Sequence, residues 1–134
     1  MKTLVSVLKH SISRTFYVHI TRNRIRLRHL ESGREVSLEA EQLFTGPRLL
    51  VAEFSVAQRM LQRGIRMLTS GVGLAPVIVV SAGEMVEGGL SESEERLLLE
   101  LGYQAGARFV AVVTGDLSDV EVREVIRGRG LLRA

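Results

Sequence analysis

Three observations in this sequence predict an α/β domain with a mixed five-strand sheet flanked by helices. Apolar residues alternate with period two between Phe16 and Leu38, as half-buried antiparallel strands require. Beyond Phe54 the apolar period lengthens to that of helices, interrupted by two continuous apolar runs, the first of them wholly β-branched, of the kind parallel strands carry when both faces are covered. The 134 residues, 46% hydrophobic and 25% charged, have the size and composition of one globular domain. Its expected limits are residues 15–127, with an N-terminal segment over 1–14 and a short basic tail over 128–134.

In the first fourteen residues Leu4, Val5, Leu8 and Ile12 share one helical face, opposite Lys2, Ser6, Lys9 and Ser13. That segment is either a short amphipathic helix or tail packed on the domain, or a weak membrane-surface anchor. It lacks the long apolar core and small-residue cleavage site of a secretory signal. Phe16, Val18 and Ile20 then alternate with Tyr17 and His19. Thr21-Arg22-Asn23 makes a tight connection, and Ile25, Leu27 and His29 alternate with Arg24, Arg26 and Arg28. Glu31-Ser32-Gly33 turns the chain again into a strand through Val36 and Leu38, which completes a three-strand antiparallel meander.

Gly46-Pro47 breaks that pattern, and Leu49 to Phe54 crosses to the next element. Ala57, Met60, Leu61, Gly64, Ile65 and Leu68 form the stripe of a core-facing helix, with Ser55 placed to cap it and Arg59, Arg63 and Arg66 on its wet side. The stretch from Ser70 to Pro76 ends this helix before the strand Val77-Ile78-Val79-Val80. Ser91 and Glu94 form a capping box, with Glu92 and Glu95 in the same first turn, ahead of a helix burying Leu97, Leu98, Leu101 and Ala105. Gly106 terminates it, Phe109 to Val113 is the second covered strand, and Ser118 with Glu121 caps a last helix through Val122, Val125 and Ile126. Right-handed crossovers let the last two strands extend the meander beside its first strand, which is the ribonuclease-H-like topology.

With no cysteine, the chain has no disulfide framework, thiolate metal site or cysteine nucleophile. No apolar run reaches the ~18 residues of a membrane span, so a soluble globular protein is expected; the absence of cysteine leaves a reducing or oxidising compartment open, with the cytoplasm as the default and membrane contact confined to residues 1–14. The net charge of +3 is unevenly spread. Lys2, Lys9, Arg14, Arg22, Arg24, Arg26, Arg28 and Arg34 face Glu31 alone, whereas Glu84, Glu87, Glu92, Glu94, Glu95 and Glu100 face only Arg96. Such asymmetry steers a nucleic acid, an anionic membrane or an acidic protein surface, or lets copies meet head to tail.

No constellation in the sequence specifies catalysis. Nucleases of this topology need carboxylates converging on the first strand to hold two metal ions. Here that strand offers His19, and Asp116 and Asp119 are the only carboxylates just after the fifth. Actin-like and Hsp70-like nucleotide-binding proteins of this topology cradle phosphates on a Gly/Thr-rich hairpin between the first two strands. This hairpin reads His19-Ile20-Thr21-Arg22-Asn23-Arg24. Gly71-Val72-Gly73 and Glu87-Gly88-Gly89 read as turns, because neither leads into the Lys-Ser/Thr of a phosphate-binding loop. His10, His19 and His29 lack metal-ligand spacing, and no serine sits in a Gly-x-Ser-x-Gly elbow. No metal, cofactor or catalytic residue is expected. Arg22, Arg24, Arg26 and Arg28 project from one strand face and suit a phosphate backbone, although at 4% aromatics the chain lacks a base-stacking platform and a solvated arginine face is the plainer reading.

The segment Leu50-Val51-Ala52-Glu53-Phe54-Ser55-Val56-Ala57-Gln58-Arg59-Met60-Leu61-Gln62 resembles the stretch that opens the first helix of the bacterial actin-like rod-shape proteins, the MreB family. Pro76-Val77-Ile78-Val79-Val80 is similar to that family's next strand, Ser93-Glu94-Glu95-Arg96 to a helix start, and Gln104-Ala105-Gly106-Ala107-Arg108-Phe109-Val110 to the entry into the following strand. The likeness covers about Leu50 to Val113, with a looser match from Phe16 to Leu38. It implies descent from the first subdomain of an actin-like filament protein, whose full-length members bind ATP between two lobes and polymerise beneath the membrane to organise the cell wall. The family's first phosphate loop corresponds here to His19, Ile20, Thr21 and Arg22, and its Glu-Glu-Pro after the fifth strand to Thr114-Gly115-Asp116, so no ATP-binding residue carries over.

The function expected is therefore that of a non-enzymatic, actin-subdomain-like interaction protein of the cell-shape or division machinery. Its partner would be itself or an actin-like filament protein. The candidate interaction residues are Arg59, Arg63 and Arg66 with Glu92, Glu94 and Glu95. A basic nucleic-acid-binding module using Arg22, Arg24, Arg26 and Arg28, and a degenerate nucleotide-binding protein, are the alternatives.

Overall fold

Alternating apolar residues build the first strand, β1 (Thr15–Thr21), which turns through Arg22-Asn23 into β2 (Arg24–His29) and then β3 (Arg34–Glu39). Asn23 takes the left-handed conformation the turn needs, at φ 53°. Helix α1 (Phe54–Leu68) follows, then β4 (Val77–Ala82), α2 (Glu92–Gln104), β5 (Phe109–Thr114) and α3 (Asp119–Gly128). The computed structural model describes residues 14–69 and 73–129. The amphipathic segment expected over residues 1–14 lies outside the described residues, Arg14 excepted, as does the tail beyond Arg129.

The sheet order is β3-β2-β1-β4-β5, with β1–β2 and β2–β3 antiparallel and β1–β4 and β4–β5 parallel. The expected α/β class and mixed five-strand sheet flanked by helices are therefore present. Helices α1 and α2 cover one face over Phe16, Val18, Ile20, Ile25, Leu27, Ile78 and Val80. Helix α3 covers part of the other, where Val122 and Ile126 meet Tyr17, Val77, Val79 and Ala111. That second cluster includes no β2 or β3 strand residue, so among the described residues no helix packs over the Arg24, Arg26 and Arg28 side of β2.

Two local expectations are corrected. Residues Phe16 to Val18 of β1 are fully buried, side chains of both faces included, because α3 closes over Tyr17; the alternation in the sequence suggested a half-buried strand. Ser55 does not cap α1. The backbone is fixed earlier, where Ala52 and Glu53 N–H both donate to the Phe44 carbonyl, at 2.8 and 2.9 Å. The chain thus turns helical at Phe54, with Glu53 as the N-cap residue and no side-chain cap. Both capping boxes are present in full, at Ser91/Glu94 and Ser118/Glu121. After the C-cap residue Ala105, Gly106 takes φ 104°, a conformation glycine adopts without penalty.

Candidate functional site

The carboxyl ends of β1, β4 and β5 converge with the open side of β2, and polar side chains there bond to one another. Antiparallel register sets Arg28 opposite Tyr17, Arg26 opposite His19 and Arg24 opposite Thr21. The expected projection from one strand face is realised for Arg24, Arg26 and Arg28, whereas Arg22, expected in the same row, lies in the turn between β1 and β2 and is not part of it. Arg26 Nη2 donates to Asp116 Oδ1 at 2.6 Å, and its Nε lies 3.0 Å from Glu35 Oε1. Arg28 Nε donates to Asp119 Oδ1 at 2.5 Å and its Nη2 to the Leu117 carbonyl at 3.0 Å, with the guanidinium 4.9 Å from the Tyr17 ring centroid. Arg24 is ion-paired with Glu39, its register partner on β3. The side chain of Arg22 is exposed, and its backbone N–H donates to Glu84 at 3.3 Å.

The loop after β5 is tied down from beneath. Tyr17 Oη donates to the Gly115 carbonyl at 3.1 Å and accepts from Leu117 N–H at 2.8 Å, and the Ser81 hydroxyl donates to the same Gly115 carbonyl. His19 lies against Gly83 so closely that a Cβ there would sit 2.5 Å from its Nε2. Burial first, and then the Arg26 charge, lower the His19 pKa below its ordinary 6.5, with Asp116 and Glu84 pulling the other way. On the neighbouring turn, Asn23 Oδ1 accepts from the N–H groups of Phe44 and Thr45, at 2.8 and 2.7 Å, which fixes the loop leading towards α1. No group of three or more His, Cys, Asp or Glu side chains among the described residues is placed to hold a metal ion.

The second set of candidate residues lies on the helices. Arg59, Arg63 and Arg66 follow one another at i, i+4 and i+7 on α1 and are all exposed. Among the described residues none of them makes an ion pair or a side-chain hydrogen bond. They line a groove of about 490 Å³ with Val56, Met60 and Gln62 of the same helix and with Glu41 and Gln42 from the loop after β3. Glu92, Glu94 and Glu95 occupy the first turn of α2, where the helix dipole favours them. Glu94 accepts from Ser91 N–H at 3.3 Å, while Glu92 and Glu95 are exposed. The structure brings the arginine triad together in one groove and does not join it to the glutamates within one molecule.

Sequence reasoning missed Tyr17, Ser81 and Asn23 as anchors and Glu41 and Gln42 as the far rim of the groove. Their partners lie far along the chain, 98 residues away for Tyr17 and Gly115, and no local pattern reports such pairs. No helix among the described residues is long and apolar enough to cross a membrane.

No family model matches the chain. Over 92 residues it is 47% identical to the uncharacterized protein YjaA of Escherichia coli (strain K12), an alignment that spans 63% of this chain and 71% of that protein.

Proposed function

We propose that this chain, which belongs to the family of the Escherichia coli uncharacterized protein YjaA, is a non-enzymatic interaction protein with the topology of a ribonuclease-H-like or actin-like subdomain. In this reading it descends from the first subdomain of an MreB-like protein and docks on a protein of the cell-shape or division machinery. The supporting observation is the contrast between its two groups of arginines. In an actin-like relative the carboxyl ends of β1, β4 and β5 would face nucleotide. Here Arg26, Arg28, Asp116 and Asp119 satisfy one another across that space. The hairpin that would cradle phosphate carries Arg22 and Asn23 in place of glycine, and Asn23 is committed to Phe44 and Thr45. Arg59, Arg63 and Arg66, by contrast, have no counter-ion among the described residues.

Thermal unfolding with increasing MgATP tests this directly. A ligand that binds the native state raises the melting temperature in proportion to the logarithm of its concentration once saturating. An unchanged melting temperature up to millimolar MgATP is expected, whereas a concentration-dependent rise would overturn the proposal in favour of a retained nucleotide site. The arginine pairing also disfavours the nucleic-acid reading, since Arg24, Arg26 and Arg28 are already neutralised within the fold.

A further inference from the structure

We infer that the groove along α1 binds an acidic peptide segment in which carboxylates alternate with apolar side chains. This assignment rests on the interaction reading above and names the chemistry of the partner.

Arg59, Arg63 and Arg66 run about 10 Å along the helix at ~1.5 Å per residue. An extended peptide covers that distance with about three residues at ~3.3 Å each. The guanidinium groups are exposed, and none is neutralised within the described residues. Each can donate two N–H groups to a carboxylate in a two-pronged contact. The groove is not uniformly charged. Val56 and Met60, 6% and 8% exposed, close its floor with the edges of core side chains, the aliphatic stems of the arginines add apolar wall above them, and the Gln42 amide can bond to a peptide backbone, while Gln62 Nε2 already donates to the Gln104 carbonyl at 3.3 Å.

Glu41 on the opposite rim decides between ligand classes. Its carboxylate repels a ligand of dense, continuous negative charge such as a polyphosphate or a nucleic-acid backbone. It is tolerated by a peptide that can set an apolar or polar side chain against it. The arginine stems above the buried Val56 and Met60 have no use in phosphate binding and can pack against an apolar peptide side chain.

The test is fluorescence anisotropy of the full chain with a fluorescein-labelled Glu-Leu-Glu-Leu-Glu-Leu peptide. It is run in about 0.15 M NaCl, where unspecific surface attraction is screened beyond ~8 Å. A peptide with glutamine at each acidic position and a short oligothymidylate serve as comparisons. The acidic peptide is expected to bind and the glutamine peptide to fail. Combined Arg59→Glu, Arg63→Glu and Arg66→Glu should weaken binding more than tenfold, Arg63→Gln should give an intermediate loss, and Arg24→Gln on the other sheet face should change nothing. Far-UV circular dichroism keeps the folded variants identifiable. The inference is overturned if the wild-type chain ignores the acidic peptide, if the α1 variants bind it unchanged, or if oligothymidylate binds more tightly. None of these results alters the outcome of the MgATP titration, so failure of the groove assignment is distinguishable from failure of the non-enzymatic reading.

Discussion

The Tyr17 hydroxyl donates to the Gly115 carbonyl at 3.1 Å, which joins the central strand to the loop carrying Asp116. The same oxygen accepts from Leu117 N–H at 2.8 Å, and the Tyr17 ring lies under the Arg28 guanidinium. One buried side chain thus holds the loop that carries Asp116 and leads into Asp119 at the start of α3, the two carboxylates that reach Arg26 and Arg28. Tyr17→Phe keeps the ring and leaves the Leu117 N–H without its acceptor, while Ser81 still donates to Gly115. A loss of about 1–3 kcal/mol follows from the usual cost of an orphaned, poorly solvated donor. It should appear in urea unfolding as a lower midpoint with an unchanged slope.

Gly102 sets how closely α2 approaches β5. An added Cβ would lie 2.6 and 2.8 Å from the two Val110 methyls and 3.3 Å from its Cβ. Val110 is β-branched and 2% exposed, so it has no free rotamer to move into. A glycine to alanine change inside a helix ordinarily stabilises by about 1 kcal/mol through propensity. Here overpacking of about 1–3 kcal/mol opposes that gain, and Gly102→Ala is expected to lower the melting temperature. A raised melting temperature would mean that the helix can move away from the strand without cost.

The fold was legible in the sequence wherever local periodicity and burial agree. The two capping boxes, the covered runs at Val77 and Phe109 and the Ala57-to-Leu68 stripe all describe short-range patterns, and each locates an element correctly. The start of α1 was misplaced because the backbone bonds from Ala52 and Glu53 to Phe44 fix it, and Ser55 carries no trace of them. The site divides in the same way. The face shared by Arg24, Arg26 and Arg28 follows from the strand period, but their neutralisation depends on Glu35 and Glu39 across a strand pair and on Asp116 and Asp119 across the sheet. The groove was half legible, since helical spacing groups Arg59, Arg63 and Arg66, whereas the opposing Glu41 and Gln42 arrive through a loop without periodicity.

His19 gives stability a pH dependence of definite sign. Burial, followed by the Arg26 charge, places its folded-state pKa below the ordinary 6.5. The unfolded chain therefore binds more protons in the window below pH 6.5, and stability rises with pH through that window. The contribution is complete above 6.5 and is lost as pH falls towards the folded-state pKa. His19→Gln should flatten this part of the stability curve in urea unfolding repeated between about pH 5 and 7, the range in which histidine titrates. An equally steep curve in the variant would assign the dependence to other groups.

The last helix offers a second titration, separated from the first by its range. Ser118 Oγ accepts from Glu121 N–H at 3.3 Å, and Glu121 Oε1 accepts from Ser118 N–H at 3.0 Å. The backbone bond, and then the Ser118 side chain, lower the Glu121 pKa from its ordinary 4.5. A depressed carboxylate stabilises the fold above the unfolded-state value and loses that effect as pH falls below about 4.5 towards the folded-state pKa. Glu121→Gln keeps an acceptor for Ser118 N–H while removing the titration, so it should flatten the acid limb of the stability curve and leave the His19 window untouched. Ser118→Ala removes the acceptor at the other end of the box and should cost about 1 kcal/mol at neutral pH, as N-cap losses do. Because α3 buries Tyr17 through Val122 and Ile126, loosening its first turn should also raise amide exchange at Leu117. Exchange at Leu117 that stays as slow in Ser118→Ala as in the wild-type chain would show that Tyr17 holds the loop without help from the cap.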